Sequence, residues 1–219
     1  MTPEERYAPL MYAIARVAEA ANVRRRQGDA TANDLFVSTT MMALERYVDG
    51  VEREYERLVP LSAALQRVPD AEVATPENVW VAQGRFLVQL HLYVVTWKVV
   101  QRLMDQLKQR SHWKAVGTVY RRHGRMLRSY GRLRSHLEHF ENYLPGEKNS
   151  GLVTSAHESE SGPYVAWGWV PIVDGRIVLG QDSWTLTRDD VAELRRMLGE
   201  LCDELVAEAM SVIASETDH

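Results

Sequence analysis

The segment from residue 75 to about residue 110 constrains the fold of this 219-residue chain more than any other. It opens with Thr-Pro-Glu, which favours a helix start because threonine can cap a helix and proline fits the first helical position. From residue 86 to residue 104 it is apolar nearly all round, which is typical of a deeply buried helix. We therefore predict a long central helix, and we interpret His91 and Trp97 within it as core residues rather than ligands.

Apolar residues recur at helical spacing in four other segments. The first predicted helix begins at Pro3 and precedes a polar break at residues 24–34, and two others run over about residues 34–58 and 113–144. The sequence Thr-Arg-Asp-Asp from Thr187 caps the last helix, whose apolar seam runs from Val191 to Val212. Residues 59–78 are predicted to be an irregular connection with one short helix at its centre. These patterns predict a mainly α fold, a bundle of four or five helices.

One β-hairpin is predicted before the last helix, over residues 164–181. Its turn is Asp174-Gly175, which lies between two runs rich in β-branched residues. We divide the chain into N-terminal helices (1–74) that pack on a helical bundle (75–216). The bundle includes the hairpin and a polar loop, residues 147–163, which at this length is typical of a functional or disordered segment.

Composition and cysteine usage indicate a cytoplasmic protein. Cys202 is the single cysteine, so an intrachain disulfide is excluded, and a reducing compartment fits. No basic-then-apolar signal segment opens the sequence. The most apolar stretch, residues 86–95, is too short to cross a membrane.

The charge is distributed very unevenly along the chain. Between Lys98 and Arg134 there are eleven lysines and arginines against one acid, Asp105, so this segment carries +10 and the remainder of the −4 chain carries −14. Such separation favours a surface that faces a polyanion. The alternative is a general preference for arginine, since only four of the 26 basic residues are lysine.

The predicted helix over residues 113–144 concentrates this charge on one face. At 100° per residue, one arc of about 80° opposite the apolar face runs for roughly 27 Å and is long enough to follow several phosphates. The alternative is a solvated face, or one paired with acids from a neighbouring helix. The arc contains Arg121, Arg125, Arg128, Arg132, His136 and His139.

Arg134 falls with the apolar face instead, beside Leu127 and Leu137. A buried arginine needs a partner or a function, and a structural salt bridge to an acid on another helix would explain it equally well. His136 and His139 match no zinc-protease spacing, and the chain has no glycine-rich phosphate loop. We predict neither a metal nor a cofactor.

Arg134 and His139 together have the form R-x4-H, late in a long helix and ahead of a variable insertion and a capped terminal helix. In this respect the chain resembles the HEPN superfamily, above all the HEPN-like proteins of bacterial abortive-infection and toxin–antitoxin systems, over roughly residues 76–215. The sequence departs from the family at Ser135, where a larger polar residue is usual. On a straight helix, moreover, positions i and i+5 lie about 140° apart.

The resemblance implies a metal-independent endoribonuclease. His139 would move protons and Arg134 would neutralise the developing phosphorane charge, in a cleft shared by two protomers. RNA would be the substrate, and a phage-defence or antitoxin protein a partner. We predict a homodimer, since the leucine seam of the last helix and Trp167, Trp169 and Trp184 would otherwise be exposed. The alternative is a non-catalytic HEPN-like protein that binds nucleic acid or an acidic partner through its basic helix.

Overall fold

The structure of the protein is a computed structural model that describes residues 3–29, 33–67, 76–138, 156–159, 162–165, 172–173, 176–179 and 182–217. Within these residues the chain is mainly α, as predicted. The helices are α1 (Pro3–Arg26), α2 (Asp34–Arg67), α3 (Pro76–Arg110), α4 (Lys114–Leu127), α5 (Gly131–Glu138) and α6 (Arg188–Thr217). Five short strands precede α6: β1 (Ala156–Ser159), β2 (Gly162–Val165), β3 (Ile172–Val173), β4 (Arg176–Leu179) and β5 (Asp182–Thr185).

Helix α2 is longer than its sequence predicts. It continues through Pro60 to Arg67, so the first part of the predicted irregular connection is helical and that prediction is wrong. Half-buried Leu61 and Leu65 extend the apolar spacing past the proline, which removes one backbone hydrogen bond of the helix. The boundary predicted near residue 74 lies outside the described residues.

The single helix predicted over residues 113–144 is wrong, because the chain turns at residues 128–130 between α4 and α5. The last turn of α4 tightens: the Arg128 amide donates to Arg125 at 3.3 Å and the Ser129 amide donates to Met126 at 3.0 Å. The Ser129 hydroxyl also donates to the Met126 carbonyl at 2.6 Å, and serine used in this way competes with helix continuation. The predicted residues from 139 onward lie outside the described part of the chain.

The predicted hairpin is confirmed in part, by the pairing of β3 with β4; its turn residues, Asp174 and Gly175, lie outside the described residues. Val173 pairs with Arg176 in antiparallel β3 and β4, which leaves the expected two residues between the strands, and β5 adds a third strand beside β4. Strand β2, which opens the predicted hairpin, pairs instead with β1 in a separate two-stranded sheet. Part of the predicted 147–163 loop is therefore strand.

The chain divides into two compact units. Unit 1 contains Met1–Val51, Thr96–Ser129 and Asp189–His219, and unit 2 contains Glu52–Val95 and Tyr130–Arg188. The core of unit 1 is built by α1, α4, α6 and parts of α2 and α3; its buried side chains include Val17, Leu44, Trp97, Val116, Leu127 and Leu201. Each such side chain stabilises the fold by roughly 1.5–3 kcal/mol relative to an exposed position.

Unit 2 has a core rich in aromatic residues. Tyr93 and Tyr130 meet edge to face, with ring centroids 5.4 Å apart and an interplanar angle of 87°. The Tyr130 hydroxyl donates to the Thr185 carbonyl at 3.3 Å, which ties the start of the α5 segment to β5. Trp184 of β5 is buried, so the prediction that it is exposed is wrong; Trp167 and Trp169 lie outside the described residues.

Helix α3 buries one side rather than its whole circumference. Trp97 lies in the core, as predicted. His91 is exposed, however, so its assignment to the core is wrong. Val88 and Leu92 are 64% and 49% exposed, which shows that an apolar side chain in this segment does not by itself indicate burial.

The leucine seam of α6 is buried within the chain itself. Val191, Leu194, Leu198, Leu201 and Leu205 are all buried in unit 1. This seam therefore offers no free surface to a second protomer. No described helix combines the length and the apolar character needed to span a membrane.

Candidate nucleic-acid interface

Helix α4 carries a stripe of exposed arginines. Arg121, Arg125 and Arg128 are all exposed, and at 100° per residue they fall within an arc of about 60°. The opposite side of α4 is buried, through Val119 and Leu127 among others. The apolar side thus fixes which arginines point to solvent.

These three arginines have no acidic partner among the residues that the structure describes. The Arg121 guanidinium reaches only the Thr118 hydroxyl, at 3.4 Å. Arg122, one position further round the helix, differs: it lies 2.6 Å from a Glu200 carboxylate oxygen and 3.7 Å from one of Glu204. Within the described residues, the exposed stripe is therefore not paired with acids, whereas Arg122, on the side of α4 toward α6, is.

Tyr120 connects the stripe to helix α3. Its hydroxyl donates to Asp105 Oδ1 at 2.6 Å and accepts from Arg128 Nη1 at 3.3 Å. Exposed Lys108 places its Nζ 4.2 Å from the centroid of the Tyr120 ring. Lys108 and Arg128 thus both contact the buried Tyr120 side chain. We call the surface formed by Lys108, Arg121, Arg125 and Arg128 the basic face.

The hydrogen bond to Asp105 raises the pKa of Tyr120, and burial raises it further. Tyr120 therefore stays neutral at physiological pH, and its hydroxyl links Asp105 and Arg128 by hydrogen bonds rather than acting as a nucleophile. Asp105, the one acid between Lys98 and Arg134, is occupied by this hydroxyl. Its position beneath the tyrosine leaves the arginine stripe without a local acid.

A glycine allows Arg128 to reach Tyr120. A Cβ at Gly124 would lie 3.3 Å from Arg128 Nη1 and 3.6 Å from the Tyr120 ring. The guanidinium therefore folds back over the glycine along α4. A Cβ at position 124 would require Arg128 to shift by a few tenths of an ångström.

His123 anchors the middle of α4 against α6. It is 3% exposed, and its Nε2 lies 2.9 Å from Glu200 Oε2. Its Nδ1 lies 2.7 Å from Glu193 Oε1, although this contact is not aligned as a hydrogen bond. The hydrogen bond from His123, followed by that from Arg122, lowers the pKa of Glu200. This histidine is enclosed by carboxylates and has a structural role.

Glu208 of α6 caps the start of α4. Trp113 occupies the N-cap position without a side-chain hydrogen bond. Instead, the two carboxylate oxygens of Glu208 accept from the Lys114 amide at 3.2 Å and from the Ala115 amide at 2.9 Å. Arg24 lies 3.5 Å from the same carboxylate and stacks over the Trp113 ring at 4.4 Å. The first turn and the middle of α4 are therefore both held in place.

The structure separates the residues that the sequence grouped together. The stripe on α4 ends at Arg128, so its length is about 10 Å rather than the predicted 27 Å. Arg132 is exposed but belongs to α5, beyond the turn. The side chain of His136 and the whole of His139 lie outside the described residues, so the R-x4-H pair stays a prediction.

The sequence placed Arg134 with the apolar face and left open whether it forms a salt bridge to an acid on another helix; in the described part of the chain it is partly exposed and its acid lies on its own helix. Its side chain is 26% exposed, and Nε donates to Glu138 Oε1 at 2.8 Å, one turn along its own helix. Because α5 is a separate helix that begins after the turn, the angular positions calculated for one continuous helix do not apply to its side chains.

The sequence signals that could have indicated the surroundings of His123 are Glu193 and Glu200, seven residues apart on one face of α6.

Among the described residues, no group of three or more His, Cys, Asp or Glu side chains could hold a metal ion. No known family model, curated protein or solved structure matches this chain.

Proposed function

We propose that this protein binds the phosphate backbone of a nucleic acid, RNA in particular, through the basic face. The observation that carries the proposal is that Arg121, Arg125 and Arg128 are exposed on one side of α4 with no acidic partner among the described residues. The chain outside the Lys98–Arg134 segment carries −14, so it repels polyanions and leaves this segment as the favoured contact.

Arginine suits this role because its planar guanidinium donates two parallel hydrogen bonds to phosphate oxygens. Each phosphate that the face neutralises releases condensed counterions, which favours binding at low salt. The three stripe arginines and Lys108 together supply up to four such contacts. Because contacts with α6 hold α4 in place, the backbone that carries the three arginines loses little conformational entropy on binding.

The experiment that tests this proposal replaces the three stripe arginines with glutamates. We expect R121E/R125E/R128E to weaken binding of a 20-nucleotide RNA on the order of 100-fold, because three charged hydrogen bonds at about 1 kcal/mol each are lost. Fluorescence anisotropy over a potassium chloride series measures the affinity and its salt dependence, and circular dichroism verifies that the variant is folded.

The matched control is R46E/R53E/R57E. These exposed arginines form a similar stripe on α2, so the same net charge is removed from a different surface. This variant should keep most of the affinity. Equal losses in the two variants would show that net charge, rather than the basic face, governs binding, and the proposal would fail.

A metal-independent endoribonuclease activity, implied by the HEPN resemblance, is a second proposal. The observation that favours it is that Arg134 is partly exposed and uses Nε and Nη2 for Glu138, while no described residue bonds to Nη1, which could donate to a phosphate oxygen. RNA cleavage in the presence of EDTA, lost in Arg134→Ala and in His139→Ala, would support it. A homodimer, a cytoplasmic location and a phage-defence or antitoxin partner belong to the same proposal.

A further inference from the structure

The basic segment exposes no tryptophan, tyrosine or phenylalanine side chain. Every residue from 98 to 134 is described, and its tryptophan and two tyrosines are buried: Trp113 at 5%, Tyr120 at 9% and Tyr130 at 3% exposure. Trp113 is covered by the Arg24 guanidinium, and Tyr120 lies beneath Lys108. None of these rings presents a free face to a ligand.

This absence bears on which nucleic acid fits the basic face. Proteins that hold single strands stack successive bases on aromatic side chains, and each such stack strengthens binding about tenfold. A surface of arginines and one lysine contacts phosphates through its charges and offers unpaired bases no tryptophan, tyrosine or phenylalanine ring to stack on. A single strand bound here would be ordered at an entropic cost that no stacking on such a ring offsets.

The basic face is also rigid. Glu208 fixes the first turn of α4, and His123 fixes its middle between Glu193 and Glu200. Arg121, Arg125 and Arg128 therefore project from backbone positions with a set spacing over about 10 Å. Such an array complements phosphates that are themselves held at set spacing, as they are in a double helix.

We infer that the ligand of the basic face is a double-stranded nucleic acid, held by its phosphates. This inference rests on the proposed function and specifies its ligand. A duplex also carries the higher charge density, so each contact releases more counterion than the same contact to a single strand. Duplex RNA and duplex DNA share this phosphate chemistry, and the experiment distinguishes them.

The experiment compares four ligands of the same length with the full chain: a 20-base-pair RNA duplex, a 20-base-pair DNA duplex, and one unstructured strand of each. Anisotropy at increasing potassium chloride should show at least tenfold tighter binding of a duplex than of its own strand. For three phosphate contacts, the slope of log K against log salt should be about −2.7 for duplex DNA and about −2.1 for a single strand. R121E/R125E/R128E should abolish the duplex preference, whereas R46E/R53E/R57E should retain it.

Single strands that bind as tightly as duplexes, or more tightly, would overturn this inference and leave the proposed nucleic-acid function standing. Failure of all four ligands to bind at low salt would overturn both. A preference of one duplex over the other identifies which of the two double helices the face recognises.

Discussion

Glu45 shows how unit 1 accommodates a carboxylate in its interior. It is 5% exposed, and Arg195 Nη1 lies 2.7 Å from its Oε1. Asp49, one turn further along α2, accepts from Arg6 at 2.5 Å and from the Tyr7 hydroxyl at 2.9 Å. A buried charge destabilises a fold by several kcal/mol unless it is paired, and here two arginines supply the compensation.

The negative charge of Glu45 also affects Cys202. Burial raises the pKa of the Cys202 thiol to about 12, and the charges of Glu45 and Asp203 contribute in the same direction. At pH 8 the thiolate population should be about a thousand times smaller than that of a free cysteine. Cys202 should therefore resist iodoacetamide in the native protein and react promptly in guanidinium chloride, as measured by mass spectrometry. Rapid labelling of the folded protein would contradict this prediction.

The start of helix α4 depends on a residue far away in the sequence. Glu208→Ala removes the acceptor of two amides in the first turn, and we expect it to lower the free energy of unfolding by about 1–2 kcal/mol. Glu208→Gln retains an acceptor oxygen and should cost less. Urea denaturation followed by circular dichroism measures both variants.

Glu204→Ala is the control for the cap. Its carboxylate lies in the same stretch of α6, but it is 41% exposed and 3.7 Å from Arg122, so its removal should change stability by less than about 0.5 kcal/mol. If Glu204→Ala and Glu208→Ala destabilise the protein equally, the loss reflects the charge of α6 rather than the cap.

The existence of the helices followed from apolar periodicity, but the break between α4 and α5 did not. Leu127, Tyr130 and Leu133 are all buried, and their spacing of three residues suits a continuous helix as well as a turn. Because this spacing of buried residues is compatible with both a continuous helix and a turn, it does not indicate where the helix ends. Ser129 and Gly131 were the local signals for it, since both favour breaks over helix interiors.

The candidate site was predictable only where it depends on one helix. Arg121 and Arg125 are exposed as expected, because α4 itself sets their direction. The enclosure of His123, the capping by Glu208 and the approach of Lys108 to Tyr120 all require knowing which helices pack together. Helical periodicity identifies an apolar face but not its partner, so these contacts were not evident in the sequence.

At the scale of the molecule, the hydrogen bonds of unit 1 predict how stability depends on pH. The hydroxyl of Tyr7 donates to Asp49 and that of Tyr120 donates to Asp105, and these bonds raise the pKa of both tyrosines above the ordinary value of 10.0. Their contribution to stability is thus fully present below pH 10 and is lost as pH rises through the folded-state values. Glu200 behaves oppositely: its pKa is lowered from 4.5, so its contribution is present above that pH and is lost on acidification.

We therefore expect the free energy of unfolding to be greatest between about pH 5 and pH 9 and to fall on both sides. Urea denaturation across this range measures it without the screening that an ionic denaturant introduces. Tyr120→Phe keeps the ring beneath Lys108 but removes the hydroxyl, so it should lower stability at neutral pH and flatten the alkaline decline. Glu200→Gln should flatten the acidic decline and leave the alkaline one unchanged. If the alkaline decline is equally steep in Tyr120→Phe and in the unmodified protein, the hydrogen bond to Asp105 does not stabilise the fold in the way that its geometry indicates.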